Sequence, residues 1–130
     1  MTQIRRAVPN VQVEPGEQAA DANRAFYGTL GFEEVMNLGW VTTLASPSHP
    51  AAQLTFLTHD ATAPVVPDVS VELGSVQDVD TAYETLRASG AEIVHPLSDE
   101  DWGVHRFFVR DPQGRVVNVL AHREQGAAPS

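Results

Sequence analysis

Apolar and polar residues alternate with two different periods along this chain, and the periods change in a fixed order. Val8 to Glu14 reads as a strand, broken by Pro15-Gly16. Ala19, Ala22, Phe26 and Leu30 then recur at helical spacing, predicting a helix over 19–30 that stops at Gly31. Three short strands follow, at Phe32 to Asn37, Trp40 to Ala45 and Gln53 to Thr58. Ser46-Pro47-Ser48-His49-Pro50 loops between the last two. His59 to Asp68, polar and Pro-containing, reads as an internal linker.

The pattern then restarts. Val69 to Leu73 is a strand, and Asp78 to Ser89 a helix with Asp78 as N-cap and Val79, Ala82, Tyr83 and Leu86 as its apolar stripe. Ala91 to His95, Val104 to Arg110 and Arg115 to Ala121 are strands, and a polar tail closes the chain. In Asp111-Pro112-Gln113-Gly114, Asp at the first position, Pro at the second and Gly at the fourth specify a tight turn between the last two strands. The chain thus reads as one domain over 1–130 of class α+β: a βαβββ module over 8–58, a linker over 59–68, a second βαβββ module over 69–122 and a tail over 123–130. The helix-to-strand corners Leu30-Gly31-Phe32-Glu33 and Ser89-Gly90-Ala91-Glu92 lie 59 residues apart. One helix per four strands leaves one face of each sheet open, so a cleft is expected.

Composition narrows the function. A length of 130 residues suffices for one core. The absence of cysteine excludes disulfides and thiolate metal sites. A net charge of −9 argues against nucleic acid. All eight basic residues are arginine, which removes Schiff-base chemistry by lysine. The start of the chain carries no long apolar run, so it reads as neither a signal peptide nor a membrane span, and a cytoplasmic protein is expected.

The motifs carry a resemblance. Arg24-Ala25-Phe26-Tyr27-x-x-Leu30-Gly31-Phe32 is similar to the N-terminal module of the vicinal oxygen chelate superfamily, which joins glyoxalases, bleomycin resistance proteins and extradiol dioxygenases. Val79-Asp80-x-Ala82-Tyr83-x-x-Leu86 with Asp111-Pro112-x-Gly114 is similar to its C-terminal module. Trp102-Gly103 ahead of Arg110-Asp111-Pro112-x-Gly114 looks most like the bleomycin-resistance branch. The resemblance implies two βαβββ modules in a cupped mixed sheet and a homodimer. It also implies a divalent metal on the inner face, held by His or Glu from the first and fourth strand of each module.

Carried over by position, the last metal-ligand site falls on Asn118, four residues after Gly114. The matching site in the first module is near Thr55. The first-strand sites fall at Val71 or a residue to either side, and near Gln12 or Asn10. Amides, a hydroxyl and an alkyl group are poor ligands for a catalytic divalent ion, which needs about three anionic or imidazole groups. A slip of one residue brings in Glu72 alone. No bound cofactor or metal is therefore expected. Of the histidines, His49, His59, His95 and His122 read as loop or strand-end residues, and only His105 as able to line the cleft.

Trp40 and Trp102 fit either packing or stacking on a planar heterocycle. Gln12, Thr55, His105 and Asn118 complete the candidate ligand-binding set. The acidic run Asp99-Glu100-Asp101 fits either a solvated loop or a contact to a cationic ligand. The leading expectation is a metal-free protein that sequesters an antibiotic-like small molecule, planar and either neutral or cationic, in a cleft at a dimer interface, with no nucleic-acid or membrane partner. The alternatives are a glyoxalase- or dioxygenase-like metalloenzyme with atypical ligands, and a metabolite-binding accessory protein.

Overall fold

The computed structural model describes residues 2–123, so residues 124–130 of the expected tail lie outside it. Eight strands and two helices follow in the order β1 (Ile4–Gln12), α1 (Glu17–Thr29), β2 (Glu33–Asn37), β3 (Val41–Ala45), β4 (Gln53–Leu57), β5 (Val69–Leu73), α2 (Val76–Ala88), β6 (Ile93–Asp99), β7 (Val104–Arg110) and β8 (Val116–His122). This is the expected βαβββ pattern, twice.

The strands form one mixed sheet in the order β2-β3-β4-β1-β5-β8-β7-β6. Each half repeats the other. β1 runs parallel to β4 and β5 runs parallel to β8, while the remaining pairs in each half are antiparallel. The halves join where β1 and β5 pair antiparallel, with Ala7 opposite Val71 and Val8 opposite Ser70. Within this chain the two modules together build the cup.

The curvature can be read from one contact. Trp40 precedes β3 and Trp102 precedes β7, five strand spacings apart, or roughly 24 Å on a flat sheet. Their ring centroids are 5.2 Å apart, so the sheet curls until its two halves face each other. Strand alternation then sorts the side chains. On β7 and β8, Phe107, Val109, Val119 and Ala121 turn to the convex side and pack with Leu73 and with Val79, Tyr83 and Leu86 of α2. Arg106, Asn118 and Leu120 turn to the concave side.

Several local expectations are corrected. The first strand begins at Ile4 and ends at Gln12, four residues earlier than Val8 and two before Glu14. Arg6, whose charge broke the apolar pattern, is seated inside by a bond from its Nε to Glu72 Oε1 at 2.5 Å. The second helix is capped by Ser75, whose hydroxyl accepts from the Asp78 amide at 3.1 Å, so Asp78 lies in the first turn and is not the cap. β6 runs on to Asp99 through Pro96, which an edge strand tolerates because no ladder bond is lost on its open side.

The apolar stripe assigned to α1 is not its buried face. Phe26 and Leu30 are 63% and 66% exposed. Tyr27 instead packs on Phe56 and Phe32, with centroids at 5.3 and 6.1 Å, and Arg24 bonds Glu34. α2 lies across all four strands of its module, whereas α1 rests chiefly on β2. No helix among the described residues is long and apolar enough to cross a membrane.

Candidate functional site

The tight turn sets the register of β8. Gly114, at φ 92°, donates its amide to the Asp111 carbonyl, and the Asp111 carboxylate accepts from the amides of Gln113 and Arg115. Gly supplies the positive φ without a Cβ clash. Four residues on, Asn118 reaches the floor of the concave face, where it is 8% exposed. Its register partner on β5 is Ser70. Thr55 occupies the matching place on β4, with its hydroxyl 3.2 Å from that of Thr43.

The first-strand positions resolve between the alternatives. Asn10 faces the cleft and donates through Nδ2 to Ser70 Oγ at 2.9 Å. Gln12 lies beyond it, exposed, within 3.5 Å of the Thr58 carbonyl, and does not line the cavity. On β5, Val71 packs on the helix side and Ser70 takes the cleft side. The four strands that approach the floor thus present Asn10, Thr55, Ser70 and Asn118, all neutral. Amide and hydroxyl oxygens without a carboxylate or imidazole do not fit a catalytic divalent cation. Among the described residues no group of three or more His, Asp or Glu side chains is placed to hold a metal ion.

Both tryptophans of the chain line this cavity, which holds about 100 Å³. Trp40 meets Trp102 edge to face, and Arg106 lies over the Trp102 ring, with its guanidinium carbon 5.0 Å from the centroid. Arg106 is 3% exposed. It forms a bidentate pair with Asp60 at 2.8 and 3.0 Å and bonds Glu100 at 2.8 Å and Thr62 at 3.0 Å. A fork of fixed donors suits such planar pairing. Burial alone would push the Asp60 and Glu100 carboxyls up, but the bonds to Arg106, with those from His95 to Glu100 and from the Thr62 and Ala63 amides to Asp60, hold both below their ordinary values.

Sequence reasoning missed this cluster. Its only trace is a lone arginine in the apolar run Val104-His105-Arg106-Phe107-Phe108-Val109. The residues read as a linker prove to be anchored through Asp60, and of the acidic run only Glu100 is buried, while Asp99 and Asp101 stay exposed. Glu100 serves Arg106 and His95, and Asp99 serves His105. His95, read as a strand-end residue, is buried with its Nε2 2.9 Å from Glu100 Oε2.

His105 is also corrected. As an odd-numbered residue of β7 it turns to the helix side, away from the cleft. Its Nε2 lies 2.7 Å from Asp80 of α2 and its Nδ1 2.7 Å from Asp99. Desolvation would lower its pKa, but the two carboxylates outweigh it and hold the imidazole above its ordinary value. At the far end of the concave face a second polar group gathers. Glu72 bonds Arg6 through Oε1 and His122 through Oε2, the latter at 2.9 Å. The His122 bond, more than burial can oppose, keeps Glu72 below its ordinary carboxyl range, with Arg6 adding to it.

One polar atom on the floor is left over. Asn118 Nδ2 donates to Ser70 Oγ at 3.0 Å, but the buried Oδ1 has no hydrogen-bond partner among the described residues. An unpaired buried acceptor costs about 1–3 kcal/mol.

Comparison with known proteins accounts for this architecture. Residues 18–119 match the family model described as Glyoxalase/Bleomycin resistance protein/Dioxygenase superfamily. A search of curated proteins found no significant match. Among solved structures, the NAD-dependent benzaldehyde dehydrogenase from Legionella pneumophila is similar over 90% of this chain and 99% of its own, at 13% identity and a TM-score of 0.68. A glyoxalase/bleomycin resistance protein/dioxygenase superfamily member from Vibrio splendidus is similar over 92% and 99%, at 17% identity and a TM-score of 0.65. The Mn(II)-bound glyoxalase from Novosphingobium aromaticivorans matches 97% of this chain but only 42% of its own, at 18% identity and a TM-score of 0.61. At these identities the likeness is one of fold.

Proposed function

This chain belongs to the glyoxalase/bleomycin resistance protein/dioxygenase superfamily, and within it we propose a protein that binds and sequesters a small planar molecule in the cupped cleft without a metal. The observation that carries this reading is the neutral floor. Asn10, Thr55, Ser70 and Asn118 stand where four strands converge, and none offers the charge or imidazole a Lewis-acid centre uses. The walls support binding instead. Trp40 and Trp102 supply flat apolar area at low entropic cost, and Asn118 supplies a directional acceptor.

Drug-sized ligands fill cavities of about 300–1,000 Å³. A cleft of about 100 Å³ accepts one small ring as it stands. A larger ligand of the antibiotic type has to part Trp40 from Trp102. Sequestration of an antibiotic needs no turnover, since binding alone lowers the free concentration. A homodimer and a cytoplasmic location belong to the same proposal.

A metalloenzyme reading would have to draw on Glu72 and His122, the carboxylate–imidazole pair on the concave face. Both oxygens of Glu72 are already engaged, by Arg6 and by His122. Tryptophan-fluorescence titration with bleomycin and with smaller planar aromatics, with and without excess EDTA, separates the two. Saturable binding indifferent to EDTA is expected. Binding, or turnover of a dicarbonyl–thiol adduct or a catechol, that appears only with added divalent metal would overturn the proposal.

A further inference from the structure

We infer that the cleft selects a neutral planar ring carrying an N–H beside a carbonyl, the edge of a lactam or cyclic imide. This rests on the binding reading above and names its ligand class.

The argument is an inventory of donors and acceptors on the floor. A hydroxyl has two lone pairs and one proton. Ser70 Oγ accepts from Asn10 Nδ2 at 2.9 Å and from Asn118 Nδ2 at 3.0 Å, so both lone pairs are taken. Its own proton remains to be given away. Asn118 Oδ1, buried and unpartnered among the described residues, remains to accept one. Ser70 and Asn118 are register partners on adjacent parallel strands, and both line the cavity. The floor therefore holds one unspent donor and one unspent acceptor on a pair of register partners. Their complement is an acceptor and a donor on neighbouring atoms, which is a cis-amide edge.

Charge and shape narrow the class. The ionic groups named around the cavity are paired with each other: Arg106 with Asp60 and Glu100, and Arg6 with Glu72. Each of these groups already holds a hydrogen-bonded partner, so a charged ligand would have to displace one of them to recover the cost of leaving water. The two indoles form flat walls, and the volume suits a single ring.

The test uses three probes on the full chain: 2-pyridone, N-methyl-2-pyridone, which lacks the donor, and N-methylpyridinium, which is cationic. Affinities are read by calorimetry and by saturation-transfer NMR. We expect 2-pyridone to bind at least about tenfold more tightly than its N-methyl form. Asn118→Leu should reduce that ratio to under about threefold. Ser70→Ala provides an independent arm in case the first variant misfolds, and should weaken 2-pyridone while leaving N-methylpyridinium unchanged. Equal or tighter binding of N-methyl-2-pyridone, or tightest binding of N-methylpyridinium, would overturn the ligand class and leave metal-free binding intact. If no small probe binds while larger planar compounds still saturate the fluorescence change, this inference alone fails. If nothing binds without metal, both readings fail.

Discussion

The Arg106 guanidinium lies over two aromatic rings, its carbon 5.0 Å from the centroid of Trp102 and 4.8 Å from that of Phe108, while its nitrogens are bound by Asp60 and Glu100. One side chain thereby ties the inter-module segment, the β6–β7 loop and a wall of the cleft together. Arg106→Met should cost about 3–5 kcal/mol, because it leaves two buried carboxylates without their partner. Arg106→Lys should rescue little, since an ammonium cannot reproduce the bidentate pair or the stacking. Denaturant unfolding checks the first statement. The emission of the two tryptophans, both at the cleft, checks whether Trp102 has lost its seat.

The His105 imidazole has a carboxylate oxygen 2.7 Å from each ring nitrogen, an arrangement that favours the doubly protonated ring. Its pKa in the folded state is raised above the usual 6.5. A raised pKa stabilises fully below the unfolded value and is lost as pH climbs through the folded one. Stability of the wild type relative to His105→Gln should therefore be greatest below about pH 6.5 and shrink on the alkaline side. Thermal unfolding of both proteins on either side of the ordinary imidazole value, about 6.5, would show it. A gap that widens above neutrality would refute the assignment.

Acid should act through other groups. Asp60, Glu72 and Glu100 all have carboxyls held below their ordinary range in the fold. Their contribution is present above the unfolded values, near 4, and is lost as pH falls through the folded ones. Unfolding below about pH 4 should be blunted in Asp60→Asn, which has already lost its share. A mutant acid transition as steep as that of the wild type would contradict this.

The two helices should differ in what they contribute. Phe107 is fully buried beneath α2 against Tyr83, and Phe107→Ala should cost about 3–5 kcal/mol. Phe26→Ala on α1, at 63% exposure, should change stability by no more than about 0.5 kcal/mol. Urea unfolding of the two variants decides it.

What was legible in the sequence was what local chemistry determines. The Asp-Pro-x-Gly turn fixes β8, and counting from Gly114 carries Asn118 to the cleft floor. The 59-residue echo of helix-to-strand corners gives the duplicated module. What was not legible depended on long-range partners. Arg106 needs Asp60, 46 residues away, before its burial makes sense. His105 needs α2 to reveal which face of β7 it occupies, since neighbouring positions on a strand face opposite ways and one step decides between cleft and helix side. The stripe on α1 misled because periodicity reports that a helix is amphipathic, not how deeply it is seated, and α1 sets Tyr27, outside that stripe, against Phe56.

The central claim is that the neutral floor of Asn10, Thr55, Ser70 and Asn118 holds no catalytic metal. The most direct test is the metal content of the purified protein before and after soaking with Ni, Zn, Mn and Fe(II) and desalting. The account predicts that none is retained in stoichiometric amount. Retention of one equivalent of any of them, lost in Asn118→Leu or Glu72→Gln, would contradict it and make the cleft a metal centre.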